Sequence, residues 1–160
     1  PATPWMEHDL AAVEDRMGGD LRRLPLDWAR ESCHANWAEE TPLGVIVSCF
    51  IQGEILFFRD GAPALRVPAR PKIPAPRYQP ASRTILFSSS EESRIVEVDL
   101  TGAEVWSMEG FEFAKFADRL PDGDILVADT GGRRICRVNR EAREIVWECR
   151  VPGTPYDVQP

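Results

Sequence analysis

The chain reads as short apolar runs of four to seven residues, separated by clusters of Gly, Pro, Asp and Ser. The runs are rich in β-branched and aromatic residues, and several alternate apolar with polar positions, the two-residue period of a strand. Val45-Ile46-Val47-Ser48, Ile85-Leu86-Phe87-Ser88 and Ile125-Leu126-Val127-Ala128 recur at steps of forty residues. A second run keeps the same register at 54–58, 94–98 and 134–138. A third, 103–106 and 144–147, recurs after forty-one residues, as one extra turn residue would produce. A further segment precedes the first run in each copy, at 33–37, 73–78 and 114–120. Fixed-period self-similarity marks a repeat architecture, and runs this short exclude stacked helix pairs.

Each copy therefore holds four short strands joined by tight turns, the unit of a β-propeller blade, whose period is about forty residues. The fold class is all-β, with about three four-stranded antiparallel blades. Blade A is expected over 31–71, blade B over 72–112 and blade C over 113–153, with 154–160 beginning another blade. Residues 1–30 match the repeat poorly and are expected to hold part of a preceding blade. Leu10, Val13 and Met17, followed by Gly18-Gly19, predict a short helix over 7–17. Pro121-Asp122-Gly123-Asp124, Asp129-Thr130-Gly131-Gly132 and Asp99-Leu100-Thr101-Gly102 predict turns, because Asp-Gly and Gly supply the positive φ that tight turns require. Pro68, Pro71, Pro74, Pro76 and Pro80 predict an extended crossing between blades, since proline cannot donate to a ladder.

Propellers close with about four to eight blades. Tyr156-Asp157-Val158-Gln159-Pro160 repeats the pattern of Ala117-Asp118-Arg119-Leu120-Pro121 thirty-nine residues on. The expectation is a segment of a six- or seven-bladed propeller, or two copies completing a six-bladed ring, with self-association through the open blade faces.

Composition narrows the partners. Net charge is −7, with 26 acidic against 19 basic residues, and the densest basic cluster is only Arg133-Arg134 with Arg137 and Arg140 nearby. Phosphate binding needs a basic stripe, so nucleic acid and anionic membrane surfaces are not expected partners. No apolar run approaches the roughly 18 residues of a membrane span. The first residues carry no secretory pattern and no initiator Met, so the native start is expected to precede Pro1. The four cysteines, Cys33, Cys49, Cys136 and Cys149, share no metal-ligand spacing, and neither metal nor cofactor is expected. They read as small buried hydrophobes, with a Cys136–Cys149 bridge as the alternative.

The segment Leu120-Pro121-Asp122-Gly123-Asp124-Ile125-Leu126-Val127-Ala128-Asp129-Thr130-Gly131-Gly132-Arg133-Arg134-Ile135 resembles the NHL-type propeller signature. With Val138-Asn139 and Glu144-Ile145-Val146-Trp147-Glu148 after it, it is also similar to blades of bacterial arylsulfotransferase-like propellers. The resemblance covers roughly 30–160 and implies the fold. His34-Ala35-Asn36 resembles a His-x-Asn that lines the central cavity in the arylsulfotransferase-like group. It implies a histidine that takes a sulfuryl group covalently, without nucleotide, beside an arginine that neutralises the sulfate oxygens. The strand expected to carry that arginine reads Ser48-Cys49-Phe50-Ile51-Gln52, and Pro74 and Ala114 stand where other cavity histidines belong.

His34 is thus either the covalent carrier or a histidine satisfied by a backbone carbonyl. Asn36, Trp37, Arg77 and Asp118 are the candidate ligand-binding residues of the inner strands, with Arg77 and Asp118 one place out of register. Trp106 and Trp147 read as blade-to-blade packing, Asp129 as the shaper of its own turn, and Glu39-Glu40 and Glu91-Glu92 as solvated turn pairs. The leading function is a scaffold that binds a small molecule or a protein at the propeller rim or channel. The alternative is a nucleotide-independent sulfotransferase whose site other blades complete.

Overall fold

The structure is a computed structural model that describes residues 35–50, 53–69 and 72–158. The helix expected over 7–17 and His34 lie outside the described residues. Twelve strands fall among the described residues and form three four-stranded antiparallel sheets, each a simple meander. Blade A contains β1 (Ala35–Thr41), β2 (Gly44–Cys49), β3 (Glu54–Arg59) and β4 (Ala62–Pro68). Blade B contains β5 (Arg77–Gln79), β6 (Thr84–Ser89), β7 (Arg94–Asp99) and β8 (Glu104–Glu109). Blade C contains β9 (Ala114–Arg119), β10 (Ile125–Asp129), β11 (Arg134–Asn139) and β12 (Glu144–Arg150).

The first strands of blades A and B lie further along the chain than the apolar pattern suggests. The prolines explain part of this: Lys72 to Pro76 carry no ladder, and β5 shrinks to Arg77–Gln79, just before Pro80. Residues 72–76 cross between sheets as expected, and β4 takes in Pro68 at its end.

Adjacent blades share their cores. Ile46, Phe57 and Val67 of blade A pack with Ile85, Phe87 and Val98 of blade B. Leu86, Ile95 and Trp106 of blade B pack with Ala117, Ile125 and Val127 of blade C. Blade B is therefore covered on both faces, and the burial pattern follows: all six residues of β6 and the four central residues of β7 are buried. The alternation of β7 suggests one wetter face, but its polar Glu97 is buried too. In blade C, β11 keeps an alternating pattern, as a sheet with one covered face should.

Turn chemistry sets the blade spacing. The Asp99 carboxylate accepts from Thr101 N at 2.8 Å and Ala103 N at 3.0 Å, closing the β7–β8 turn through its side chain. Gly102 in that turn has φ +89°, and a Cβ there would sit 2.6 Å from the Pro68 carbonyl of blade A. Only glycine lets this turn reach its neighbour. Asp129 does more than shape its own turn. Its buried carboxylate accepts from Glu112 N, Phe113 N and Arg134 Nε at 2.9–3.1 Å, tying the entry of blade C to its third strand.

Two cysteine readings are corrected. Cys49 is disulfide-bonded rather than reduced. Cys136 and Cys149 are both free. In the β11–β12 ladder Cys136 faces Glu148 while Cys149 faces Ile135. One residue of offset sends the two sulfurs to opposite faces of the sheet, so the bridge is geometrically closed to them.

The seam between blades B and C holds a buried ionic clamp. The fully buried Glu97 accepts from Arg119 at 2.7 Å, from Arg140 at 2.8 Å and from the Thr84 hydroxyl. Burial alone would raise its pKa, but the Thr84 and Arg140 hydrogen bonds and the two guanidinium charges together hold it below the usual carboxylate value. A depressed carboxylate contributes stability above its unfolded pKa and loses it as pH falls through the folded value. Glu97→Gln leaves two arginines at the seam without their carboxylate, and breaking a buried pair in this way costs about 3–5 kcal/mol. Chemical denaturation should show a loss on that scale at neutral pH and a smaller difference between variant and parent in acid.

Candidate functional site

The inner strands β1, β5 and β9 bring one charged side chain each to a common rung. Glu39 lies opposite Ile46, Arg77 opposite Leu86 and Asp118 opposite Leu126, equivalent positions of the second strand. Arg77 and Asp118 are therefore in register, contrary to the sequence count. The turns between first and second strands span 42–43, 80–83 and 120–124, and their unequal lengths shift the spacing without shifting the rung.

Arg77 is the hub. Its Nη1 lies 2.8 Å from Glu39 Oε2, and its Nε lies 3.7 Å from Asp118 Oδ2. Two residues before the charged rung stand Trp37 on β1, Ala75 just ahead of β5 and Phe116 on β9. The guanidinium sits 4.6 Å from the Trp37 ring centroid and 4.8 Å from that of Phe116. The two rings meet edge to face at 6.5 Å. Ala75, the small residue of the aromatic rung, belongs to blade B like Arg77 itself and leaves the aromatic space to the flanking blades. A guanidinium desolvated between two rings gains about 2 kcal/mol from the ring quadrupoles. The Arg77 side chain is only 12% exposed.

The electrostatics are unequal. Burial pushes the Asp118 carboxyl above its ordinary value, and the Arg77 charge opposes that shift without cancelling it. Gln79, whose Nε2 donates to the Arg77 carbonyl at 3.4 Å, also hydrogen-bonds Asp118. Among the described residues two N–H donors at the site, Trp37 Nε1 and Arg77 Nε, are buried without a hydrogen-bond acceptor, although Arg77 Nε has the Asp118 carboxylate at 3.7 Å as an ionic partner.

Three of the candidate residues, Trp37, Arg77 and Asp118, thus converge. Asn36 does not join them: it sits at a β-bulge of β1 and donates to the Pro74 carbonyl at 3.4 Å, a tie between blades A and B. Glu39, which the sequence pattern places in a solvated turn pair, lies within β1 and holds Arg77. The alternation of β1 is its signal, since Trp37, Glu39 and Thr41 share one face and are the less exposed residues. Glu92 of the second acidic pair bonds Arg94 at 2.9 Å, so it too is not simply solvated.

A separate cavity of about 350 Å³ opens beside the Glu97 clamp, lined by Arg119, Arg140, Asn139 and Asp124 among others. Its two arginines are already held by Glu97. Among the described residues no group of three or more His, Cys, Asp or Glu could hold a metal ion. No helix among them is long and apolar enough to cross a membrane.

No family model matches the chain, and no curated protein matches it. Solved structures do. Hydrazine synthase from Kuenenia stuttgartiensis aligns with a TM-score of 0.65 and 16% identity, over 78% of this chain and 38% of that one. A catalytically inactive virginiamycin B lyase from Staphylococcus aureus, with quinupristin, aligns with a TM-score of 0.59 and 15% identity, over 78% and 43%. A Bacteroides caccae protein of unknown function aligns with a TM-score of 0.56 and 18% identity, over 76% and 47%. The chain spans less than half the length of each. These likenesses carry the fold: the chain has a β-propeller-like architecture.

Removing the hub should be measurable. Arg77→Ala is expected to cost about 1.5–3 kcal/mol, the scale of hydrogen bonds to charged groups. It should also move Asp118, which already titrates above the ordinary aspartate value, further up, because the opposing positive charge is gone. Chemical denaturation reads the first and carboxyl NMR titration the second. A raised carboxyl pKa favours the folded state below the unfolded pKa, and this advantage is lost as pH rises through the folded value.

Proposed function

We propose that this chain is a binding module, a stretch of propeller whose inner strands present an aromatic and polar site to a small ligand. The observation that carries the reading is the pair of buried donors, Trp37 Nε1 and Arg77 Nε, without a hydrogen-bond acceptor among the described residues. A buried N–H left unpaired costs about 1–3 kcal/mol, so a ligand oxygen that meets either donor gains more than it would at a satisfied surface. Pockets that recognise small molecules combine apolar walls with a few such convergent polar groups.

The charge count selects the ligand class. One guanidinium faces two carboxylates, so the rung has no spare positive charge for an anion. A neutral compound offering a carbonyl or hydroxyl oxygen fits better than a sulfate ester. The same count weakens the arylsulfotransferase-like alternative, in which an arginine must be free to neutralise the transferred group.

The test is NMR titration of the protein with small neutral amides and sugars, with acetate as the charged control. The expected result is a shift of the Trp37 indole and Arg77 Nε–H resonances with a neutral probe, lost in Arg77→Ala and weaker with acetate. No shift of either resonance with any probe would refute the site. Turnover of a nitrophenyl sulfate that disappears in His34→Ala would replace the binding reading with the enzymatic one.

A further inference from the structure

Two turns of blade C frame the cavity of about 350 Å³ beside the Glu97 clamp. Residues 120–124 link β9 to β10 and residues 140–143 link β11 to β12, and the ladders bring both turns to one end of the sheet. Small-molecule sites have volumes of about 300–1,000 Å³, and this one falls within that range. Its lining includes Arg119, Asp122, Asp124, Asn139, Arg140 and Glu141.

The fold does not need charge at this place. At the A–B seam the positions equivalent to Glu97, Arg119 and Arg140 hold Phe57, Tyr78 and Leu100. Phe57 meets Tyr78 edge-on at 5.8 Å, and Leu100 packs on the same core. A buried ion pair gains little over apolar packing of similar volume, so stability alone does not select the ionic version at the B–C seam.

The Glu97 clamp leaves positive charge over. One carboxylate faces two guanidiniums, bonding Arg119 through Nη2 and Arg140 through Nε and Nη2. A guanidinium has five N–H donors, so both arginines keep donors to spare. Their side chains stay partly open, at 21% and 31% exposed, while that of Glu97 is fully buried. The two turns supply the opposite excess. Asp122 and Asp124 share one cation, Arg137. Glu141 is exposed and makes no ion pair among the described residues.

These groups are fixed in place. Trp106 donates from Nε1 to the Arg140 carbonyl at 3.0 Å, and its ring centroid lies 5.7 Å from the Arg140 guanidinium. Asn139 joins the two turns: its Oδ1 accepts from Ala142 N at 2.8 Å and its Nδ2 donates to Asp124 Oδ1 at 3.1 Å. Groups ordered before binding lose little entropy when a ligand arrives.

We propose that this cavity binds a small zwitterion of the amino-acid class, with its carboxylate on Arg119 and Arg140 and its ammonium on Glu141 and Asp122. A plain anion would meet three guanidiniums against four carboxylates, once Glu97 and Arg137 are included. A plain amine would leave the spare arginine donors unused, and a neutral sugar would satisfy neither excess. The site is distinct from that of the inner strands and does not depend on it.

The test is NMR titration with glycine, β-alanine and 4-aminobutyrate, zwitterions that differ in the separation of their charges. Acetate, methylammonium and glucose are the controls. The Gly123 amide, between the two aspartates, and the Trp106 indole, bonded to Arg140, report on the site. Both resonances are expected to shift with at least one zwitterion and to respond to acetate and methylammonium about tenfold more weakly, as loss of one charged hydrogen bond implies. Glu141→Gln, at an exposed position, should keep the parent's stability in chemical denaturation, weaken the best zwitterion about tenfold and strengthen the acetate response. No shift with any of the three zwitterions overturns the proposal. So does a control that binds as tightly as the best zwitterion, or a Glu141→Gln variant that binds that zwitterion as tightly as the parent.

Discussion

A four-stranded blade of this kind cannot dry both of its faces alone, and everything else in the structure follows from that constraint. The cores lie between sheets rather than within them: Phe57 and Val98, or Trp106 and Val127, reach each other only because neighbouring blades stack. Strand β6 illustrates the consequence, being buried along its whole length with aliphatic, aromatic and hydroxyl residues on both sides. Stability in such arrays is a sum of blade terms and neighbour terms, and here the neighbour terms hold most of the apolar burial.

The seams use different chemistry for the same geometric task. One is aromatic and aliphatic throughout. The other places a carboxylate with no solvent exposure between two arginines, an arrangement that gains little net energy over well-packed apolar residues but fails badly if one partner is lost. That asymmetry makes the ionic seam selective. A blade that arrives with tyrosine and leucine in place of Arg119 and Arg140 would strand the Glu97 charge.

Much of the fold was legible because strand periodicity and turn residues are local signals. The second and third strands, and the fourth strands of blades B and C, fall where the repeat register puts them, and Asp99 and Gly123 sit in their turns as the chemistry requires. The inner strands were harder to read. Proline cuts β5 to Arg77–Gln79, and the shift of β1 moved Glu39 from an imagined turn onto the strand. Of the site, Trp37, Arg77 and Asp118 could be nominated from position alone. Their meeting could not, because it depends on three strands from three sheets and on Ala75 leaving room between two rings. The same holds for Asn36, whose bulge turns it toward the Pro74 carbonyl. Free Cys136 and Cys149 show the limit from the other side: nearness along a hairpin says nothing until register decides which face each residue takes.

The turns linking first and second strands, at 42–43, 80–83 and 120–124, differ in length while the ladders beside them keep equivalent partners. Length at this rim is thus uncoupled from the geometry of the charged rung. Segments can grow or shrink there, acquiring new contact surface, without disturbing the arginine and carboxylates that the strands hold in place. Diversification of what the rim touches and preservation of what the inner strands hold are, in this architecture, independent degrees of freedom.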